Sequence, residues 1–347
     1  MDNMYTIREV AEWFNITTNK IRFYEKKGLL KPLRDVDSEY RKFNHEDIMK
    51  LQSILLYRSI GLSIKDIRDI LKSYDNMSYL NCFNNQWEVV NDEIHRLSTI
   101  RKSLENIIDK LYESEQNINE DILYDIGEAN RLNDIKNNWI DKWNFNNWAR
   151  TYDKSVLEDR GELKIYENYQ KILQRVYDLA DSSCMNKPQV LEIGVGTGNL
   201  ASKFLDKGYD IVGIDQSREM LCIAKEKYPK LKVRIGEFLK IPYGDRYFDI
   251  IVSTYAFHHL NEEEKFIAIE EMIRVLKSNG KIILGDLMFE NKAEKANILK
   301  SLSKEQVEEI EDEYYSNIDF LKKEFERYNK NLSYEKIDML NYIIQVS

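Results

Sequence analysis

The chain has 347 residues, long enough for two or three domains. With 43% hydrophobic and 32% charged residues and a net charge of −9, it has the composition of packed domains in water. No apolar run approaches the ~20 residues that span a bilayer, and MDNMYTIREV lacks a basic segment followed by an apolar one, so neither a membrane span nor a secretory leader is expected. Cys82, Cys184 and Cys222 have no paired spacing, which predicts reduced thiols and a cytoplasmic setting.

From the amino-terminal end, Ile7, Val10, Ala11 and Phe14 recur at helical spacing. NITT turns the chain, and Thr17 or Thr18 is placed to cap a second helix running to Lys27. Two short helices joined this way form a helix-turn-helix whose second helix enters the major groove. Its polar face is expected to carry Asn19, Lys20, Arg22 and Tyr24. Between Thr18 and Arg34 stand six basic residues against one acid, Glu25, a local concentration suited to DNA in an otherwise acidic chain. After Pro32, RDVDSEYRKF has the turn chemistry of a β-wing, and Ser63 with Asp66 forms a capping-box pattern ahead of Ile64, Ile67, Ile70 and Leu71.

YTIREVAEWFNITTNKIRFYEKKGLL, EYRKF and IGLSIKDIRDIL, taken in order, resemble the amino-terminal domain of MerR-type transcription regulators. The resemblance implies a winged helix-turn-helix over residues 1–74 that binds promoter DNA as a homodimer and distorts it. It places Thr18, Lys20, Arg22, Tyr24, Tyr40, Arg41 and Lys42 at the DNA, mostly on phosphates, where contacts position more than they read sequence.

Trp87, Val90, Ile94, Leu97, Ile100, Leu104, Ile107 and Leu111 then alternate steps of three and four, a heptad-like seam. Pairing with a second copy through residues 82–115 would bury it, as MerR-type regulators pair at this position; packing on its own chain is the alternative. Residues 75–126 are accordingly expected to be a coiled-coil dimerisation helix and linker, with NINEDILYDIGEANRLND a polar linker or short helix. Cys82 stands where metal-sensing members of that family carry a ligand. One thiol cannot hold an ion, and the next cysteine is Cys184, so no metal is expected.

Residues 127–347 read differently. PQVLEIG, YDIVGID, LKVRIG, FDIIVST and KIILGDL are strand patterns, and NLASKFLDKG, SREMLCIAKEKY and EEEKFIAIEEMIRVLK are helical ones. The alternation predicts a doubly wound, Rossmann-like α/β sheet, which binds ligands at the carboxyl ends of its strands. Gly194, Gly196 and Gly198 follow the first strand, where a backbone without Cβ atoms can approach a ligand. Asp215 ends the second, where a carboxylate can accept both hydroxyls of a ribose. Gly196, Gly198 and Ala201 also satisfy the G-x-G-x-x-A form of a dinucleotide turn, so these residues alone leave a nicotinamide dinucleotide open.

VLEIGVGTGNL, VGIDQS, IGEFLKIPYGDRYFDIIVSTYAFHHL and RVLKSNGKIILGDL resemble, in order and spacing, the motifs of class I S-adenosylmethionine-dependent methyltransferases. FNNWARTYDKSV is similar to the segment preceding that fold in small bacterial members. The resemblance implies a seven-stranded sheet ending in an antiparallel hairpin, LSYEKIDM with LNYIIQVS. It implies that Glu192 and Gly194, Gly196 and Gly198 hold the methionine end of S-adenosyl-L-methionine, Asp215 the ribose, and Glu237 with Phe238 the adenine, with Tyr152 and Gln216 at the same cofactor. The family usually has Asp where Glu237 stands; the longer side chain keeps an acceptor for the adenine amino group. His258 and His259 are candidates for a base where the acceptor must lose a proton, with Tyr255 and Tyr152 as wall or positioning residues; structural hydrogen bonding is the alternative for the histidines. STYAFH stands where DNA amino-methyltransferases carry an Asn-Pro-Pro-Tyr type motif, so methylation of DNA is not expected. Glu290 to Lys330 occupies the position of a substrate cover, and Tyr314, Tyr315, Phe320, Phe325 and Tyr328 are candidates for an aromatic pocket, or else ordinary core.

Three functions fit these residues: a regulator whose methyltransferase-like body senses the cofactor, its demethylated product or an acceptor; an active small-molecule methyltransferase that also regulates; and a regulator whose body only scaffolds.

Overall fold

In the computed structural model, residues 3–35, 38–72, 78–113, 120–139, 141–181 and 188–347 are described. Cys184, and Val36 and Asp37 at the expected wing turn, lie outside them. The chain divides into two compact units, Met1–His95 and Arg96–Ser347.

In the first unit, helices Ile7–Trp13 and Thr18–Lys26 are each begun by a threonine: Thr6 in a capping box with Glu9, and Thr17 accepting from the Lys20 backbone N–H. Each cap satisfies an amide that the helix itself leaves free, worth about 1 kcal/mol. Strand β1 (Tyr5–Thr6), β2 (Leu33–Arg34) and β3 (Arg41–Phe43) form a small antiparallel sheet in the order β1-β3-β2. β2 and β3 are the wing; β1 had no signal in so short a segment. Helices His45–Ser59 and Ile64–Leu71 follow, the second opened by the expected Ser63–Asp66 box. Val10, Ile21, Tyr24, Leu30, Phe43, Leu51, Ile54, Tyr57 and Ile67 make the core. Tyr24 corrects its expected place on the polar face: it is 3% exposed, because it lies one turn from Ile21 on the buried stripe.

Helix Tyr79–Glu113 carries the heptad-like seam, on which Ile94, Leu97, Ile100 and Leu104 are each about half exposed. Of the segment taken for a polar linker or short helix, residues 117–119 lie outside the described residues and the rest belongs to a 19-residue helix, Glu120–Asn138. Its Leu132 and Ile135, together with Trp139, pack against the core of the second unit, which gives the helix a reason to persist that its local sequence does not advertise.

The second unit is built on β4 (Gln189–Ile193), β5 (Asp210–Asp215), β6 (Lys232–Ile235), β7 (Phe248–Thr254), β8 (Leu276–Phe289), β9 (Ser316–Asn317), β10 (Leu332–Lys336) and β11 (Asn341–Val346). The order β10-β11-β8-β7-β4-β5-β6 puts β7 at the centre with β4 beside it, and β11 antiparallel to β8 and β10 antiparallel to β11. Seven of these strands follow the expected layout; β9, an added eighth, pairs with β8. Helix Tyr169–Asp181 buries Ile172, Leu173 and Val176, and helix Glu262–Val275 buries Ile267, Met272 and Val275. Because β4 leads to β5 on one side while β7 lies on its other, the chain reverses direction across the sheet beside β4. The loops at that edge part, and a cleft opens between them.

Candidate functional site

β4 runs into Gly194-Val195-Gly196-Thr197-Gly198, whose three glycines have φ of +70°, +52° and +85°. The Gly194 and Val195 amides donate to the Ile214 carbonyl at 2.9 and 3.0 Å, tying the bend to the end of β5. A Cβ on Gly194 would stand 2.6 Å from that of Ala256, whereas one on Gly196 would meet nothing within 4 Å. The first glycine is therefore demanded by packing and the second leaves space at the cleft. Asp215 lies between two bends, its carboxylate accepting from the Gly196 amide at 2.9 Å and the Ser217 amide at 2.8 Å. Burial pushes its carboxyl up to about 6, outweighing those donors. Beneath the bend, Glu192 is buried with Oε2 lacking a hydrogen-bond partner, and burial, with Asp215 nearby, raises its pKa well above the usual carboxylate range.

The cleft is open to solvent and spans about 690 Å³ of space free of protein atoms. Asp215, Gln216, Met220, Glu237 and Phe238 line one side of it and Thr254, Tyr255, Ala256 and His259 another, with Trp139, Phe145 and Tyr152 also facing it. Thus Tyr152, Gly194, Gly196, Asp215, Gln216, Glu237, Phe238, Tyr255 and His259 converge, though spread over more than a hundred residues of sequence. Glu192 and Gly198 sit behind the bend rather than on the cleft wall, Gly198 as the left-handed cap of helix Asn199–Asp206.

Residues 144–158 strap both bends together. Asp153 accepts from Thr197 Oγ1 at 2.6 Å, Asn199 Nδ2 at 2.9 Å and Lys227 Nζ at 2.7 Å. Although burial raises the Asp153 pKa, donation from Lys227, Thr197 and Asn199 outweighs it and the carboxyl stays low. At the strap's other end, Asn146 Oδ1 accepts from Ser217 Oγ at 3.0 Å, beside the Asp215 bend. Phe145 and Tyr152, each adjacent to one of these anchors, reach the cleft.

The four candidates for acceptor chemistry separate. His258 does not line the cleft: its Nδ1 hydrogen-bonds Asp286, and both side chains are buried. Asp286 also accepts from the Phe257 and Leu287 amides, each at 2.7 Å, so the turn carrying the histidines closes around it. His259 reaches the cleft wall, with Nδ1 at 3.0 Å from Glu313 Oε2 and its ring 4.4 Å from Trp143 and 5.0 Å from Phe145 between centroids. Burial, then His258, lowers the His259 pKa, so the imidazole is neutral at pH 7. Tyr255 adopts φ +51°, its hydroxyl donating to the Ile165 carbonyl at 3.3 Å, and Tyr152 meets Trp148 edge-on.

The expected aromatic pocket divides likewise. Tyr314 donates its amide to the His258 carbonyl and Tyr315 packs on Phe289, whereas Phe325 is fully buried in the sheet core with Phe320 and Tyr328 against it. Phe320 and Phe325 face inward because their helix, Ile318–Glu326, packs on the sheet core, and Tyr328 follows just after its end. Asp153, Asp286 and Glu313 were not singled out from the sequence. Asp153 and Asp286 lie within quoted motifs, TYD and GDL, but their partners are 44 and 28 positions away.

On the first unit, Lys20, Arg22 and Tyr40 are exposed and Thr18 and Lys42 intermediate. Arg41 is engaged: its Nε donates to Glu25 at 2.6 Å, and Arg34 pairs with the same carboxylate at 3.4 Å. The single acid of the basic segment thereby fastens the wing to the second helix.

One family model matches within each unit. Residues 5–74 match the family model described as MerR HTH family regulatory protein, and residues 191–284 that described as methyltransferase domain. An uncharacterized methyltransferase of Oceanobacillus iheyensis is 39% identical over 205 residues, covering 58% of this chain and 93% of that protein. One from Alkaliphilus oremlandii is 36% identical over 207 residues, covering 58% and 94%. Among solved structures, a Pyrococcus horikoshii protein matches 52% of this chain and 91% of its own at 20% identity, with a TM-score of 0.44.

Proposed function

Since the chain belongs to the methyltransferase family and carries a MerR-type helix-turn-helix domain, we propose that it is a transcription regulator whose second unit binds S-adenosyl-L-methionine. One observation carries the cofactor reading: a buried carboxylate, Asp215, set between a glycine bend and a cleft of matching chemistry. The residues suit the group. Gly196 leaves room where a side chain would fill the cleft, Gln216 Oε1 and Glu192 Oε2 are buried without partners, and Phe238 offers an aromatic wall. In this reading Asp215 takes the ribose hydroxyls, Glu237 and Phe238 the adenine, and the bend with Glu192 and Tyr152 the methionine end. A nicotinamide dinucleotide is disfavoured by the family of the relatives.

When bound, the sulfonium supplies an already activated methyl group, so the protein's work is alignment and exclusion of water. The strap held by Asp153 serves both. Of the candidates for acceptor chemistry, His259 is best placed, neutral and backed by Glu313, with Tyr255 and Tyr152 as walls. Binding of cofactor, its demethylated product or an acceptor regulates transcription only where the ligand prefers one DNA-bound state over another. Calorimetry on the full chain tests the foundation: heat with S-adenosylmethionine and none with NAD is expected, and the reverse overturns the reading. Turnover with labelled cofactor and candidate small molecules separates an active enzyme from a sensor.

The exposed Lys20, Arg22 and Tyr40 support DNA binding through phosphates. Arg22→Ala is expected to weaken promoter binding about tenfold and to lower the slope of log K against log salt by about one, since one phosphate contact is lost. An unchanged slope in gel-shift titrations would remove Arg22 from the interface. The half-exposed Ile94, Leu97, Ile100 and Leu104 support a homodimer that buries this stripe. Leu97→Asp is expected to yield monomers in sedimentation velocity where the unaltered chain is dimeric; a persisting dimer would place the interface elsewhere.

A further inference from the structure

We propose that His258, His259 and Glu313 form a binding site for a divalent transition-metal ion beside the cleft, whose wall His259 reaches. The inference rests on reading that cleft as the cofactor and acceptor site, and it names what the acceptor end takes. The three residues each offer a ligand atom, and those atoms lie within 4.8 Å of one another. His259 Nδ1 and Glu313 Oε2 are 3.0 Å apart. Two ligands about 2.1 Å from one tetrahedral ion stand roughly 3.4 Å apart, so the pair need widen by only a few tenths of an ångström to admit a cation.

His258 supplies the second element of a built site. Its Nδ1 is engaged by buried Asp286, which leaves Nε2 as the ligating nitrogen. This is the carboxylate–histidine arrangement that orients ligands around protein-bound metals. Asp286 is itself fixed by three backbone amides, those of Phe257, His258 and Leu287, so the imidazole it holds is not free to reorient. On the opposite side, the Glu313 segment is held in place where Tyr314 bonds the His258 carbonyl and the buried Lys265 ammonium donates to the Leu260 and Tyr314 carbonyls. Two carboxylates, Asp286 and Glu313, against that one ammonium leave the neighbourhood net negative, as a dication requires.

Two imidazoles and one carboxylate suit zinc, cobalt or ferrous ions better than magnesium or calcium, which favour oxygen ligands alone. Three protein ligands also leave coordination open to a further group, and of the three His259 lines the cleft. The acceptor class this fits has an oxygen or sulfur atom that loses its proton to solvent on coordination, which would make a separate protein base unnecessary.

Full-length protein stripped with a chelator and titrated with cobalt(II) chloride is expected to show visible d–d absorption saturating at one ion per chain. Glu313→Gln and His259→Gln are expected to weaken that binding at least tenfold. Circular dichroism on each variant checks folding; Glu313 is partly exposed, so its isosteric change tests the site if the histidine variant fails to fold. Absent d–d bands, unaltered binding in both variants, or near-ultraviolet thiolate absorption assigning the ion to exposed Cys222 would each overturn the proposal. Calorimetry with S-adenosylmethionine on the Glu313→Gln protein keeps the two readings apart: retained heat with lost cobalt leaves the cofactor site standing, and lost heat in the unaltered chain defeats the cofactor reading whatever cobalt does.

Discussion

Asp215→Asn is expected to weaken S-adenosylmethionine binding roughly a hundredfold, about 2.7 kcal/mol, the scale of hydrogen bonds to a charged acceptor in a buried site. The carboxylate answers to donors on three sides: the Gly196 amide, the Ser217 amide and, in the proposed complex, the ribose hydroxyls. An asparagine keeps one acceptor oxygen and turns an N–H toward one of the two backbone amides, so a bend loses its anchor as well as the ligand its partner. Unliganded promoter binding should be unchanged. Because burial lifts the carboxyl to about 6, the binding-competent anion is depleted by mild acid. Affinity should fall about tenfold between pH 7 and pH 5 in the unaltered protein and stay flat in the variant. The stability effect has the opposite sign. A carboxyl whose pKa is raised on folding favours the fold in its protonated form, so its contribution is lost as pH rises from the unfolded value through about 6. A pH-independent affinity in the unaltered protein would exclude Asp215 from the ligand.

Gly194→Ala is expected to cost about 3 kcal/mol of stability, lowering the melting temperature by roughly 6–12 °C for a unit of this size, and to abolish measurable cofactor binding. Two separable causes act. A left-handed backbone costs a non-glycine residue about 1–2 kcal/mol, and Gly194 has φ +70°. The new methyl would also stand 2.6 Å from Ala256 Cβ, which has no longer side chain to swing aside. Overpacking of that kind costs about 1–3 kcal/mol. Since Ala256 lines the cleft, relief by moving it narrows the space a ligand needs. Adding Ala256→Gly should restore the packing part and leave the backbone part, about half the lost melting temperature. Complete rescue would show that the left-handed conformation is not required; no rescue would place the strain elsewhere.

What lies within a few residues along the chain was legible from it. The caps at Thr17 and Ser63, the glycine bend, Asp215 at a strand end and the alternation of strand and helix depend on neighbours in sequence, and the structure places them as expected. Tyr24, Phe325 and helix Glu120–Asn138 were misjudged or left open because burial depends on what arrives from far away in the chain. The same separation hid Glu313, 54 positions from its partner His259, and the clasp of Asp153 on Thr197, 44 positions on.

By itself, then, the sequence determined two chemistries: a basic helix-turn-helix with a wing, and a nucleotide-type turn with its carboxylate. Each is a short-range pattern enforced by backbone sterics, capping and periodicity. Only tertiary structure decided which of two adjacent histidines faces the cleft, which aromatic rings are core, and which carboxylates stand behind the two histidines. Those outcomes turn on the packing of distant elements against one sheet, where a side chain's neighbours are set by topology rather than by position along the chain.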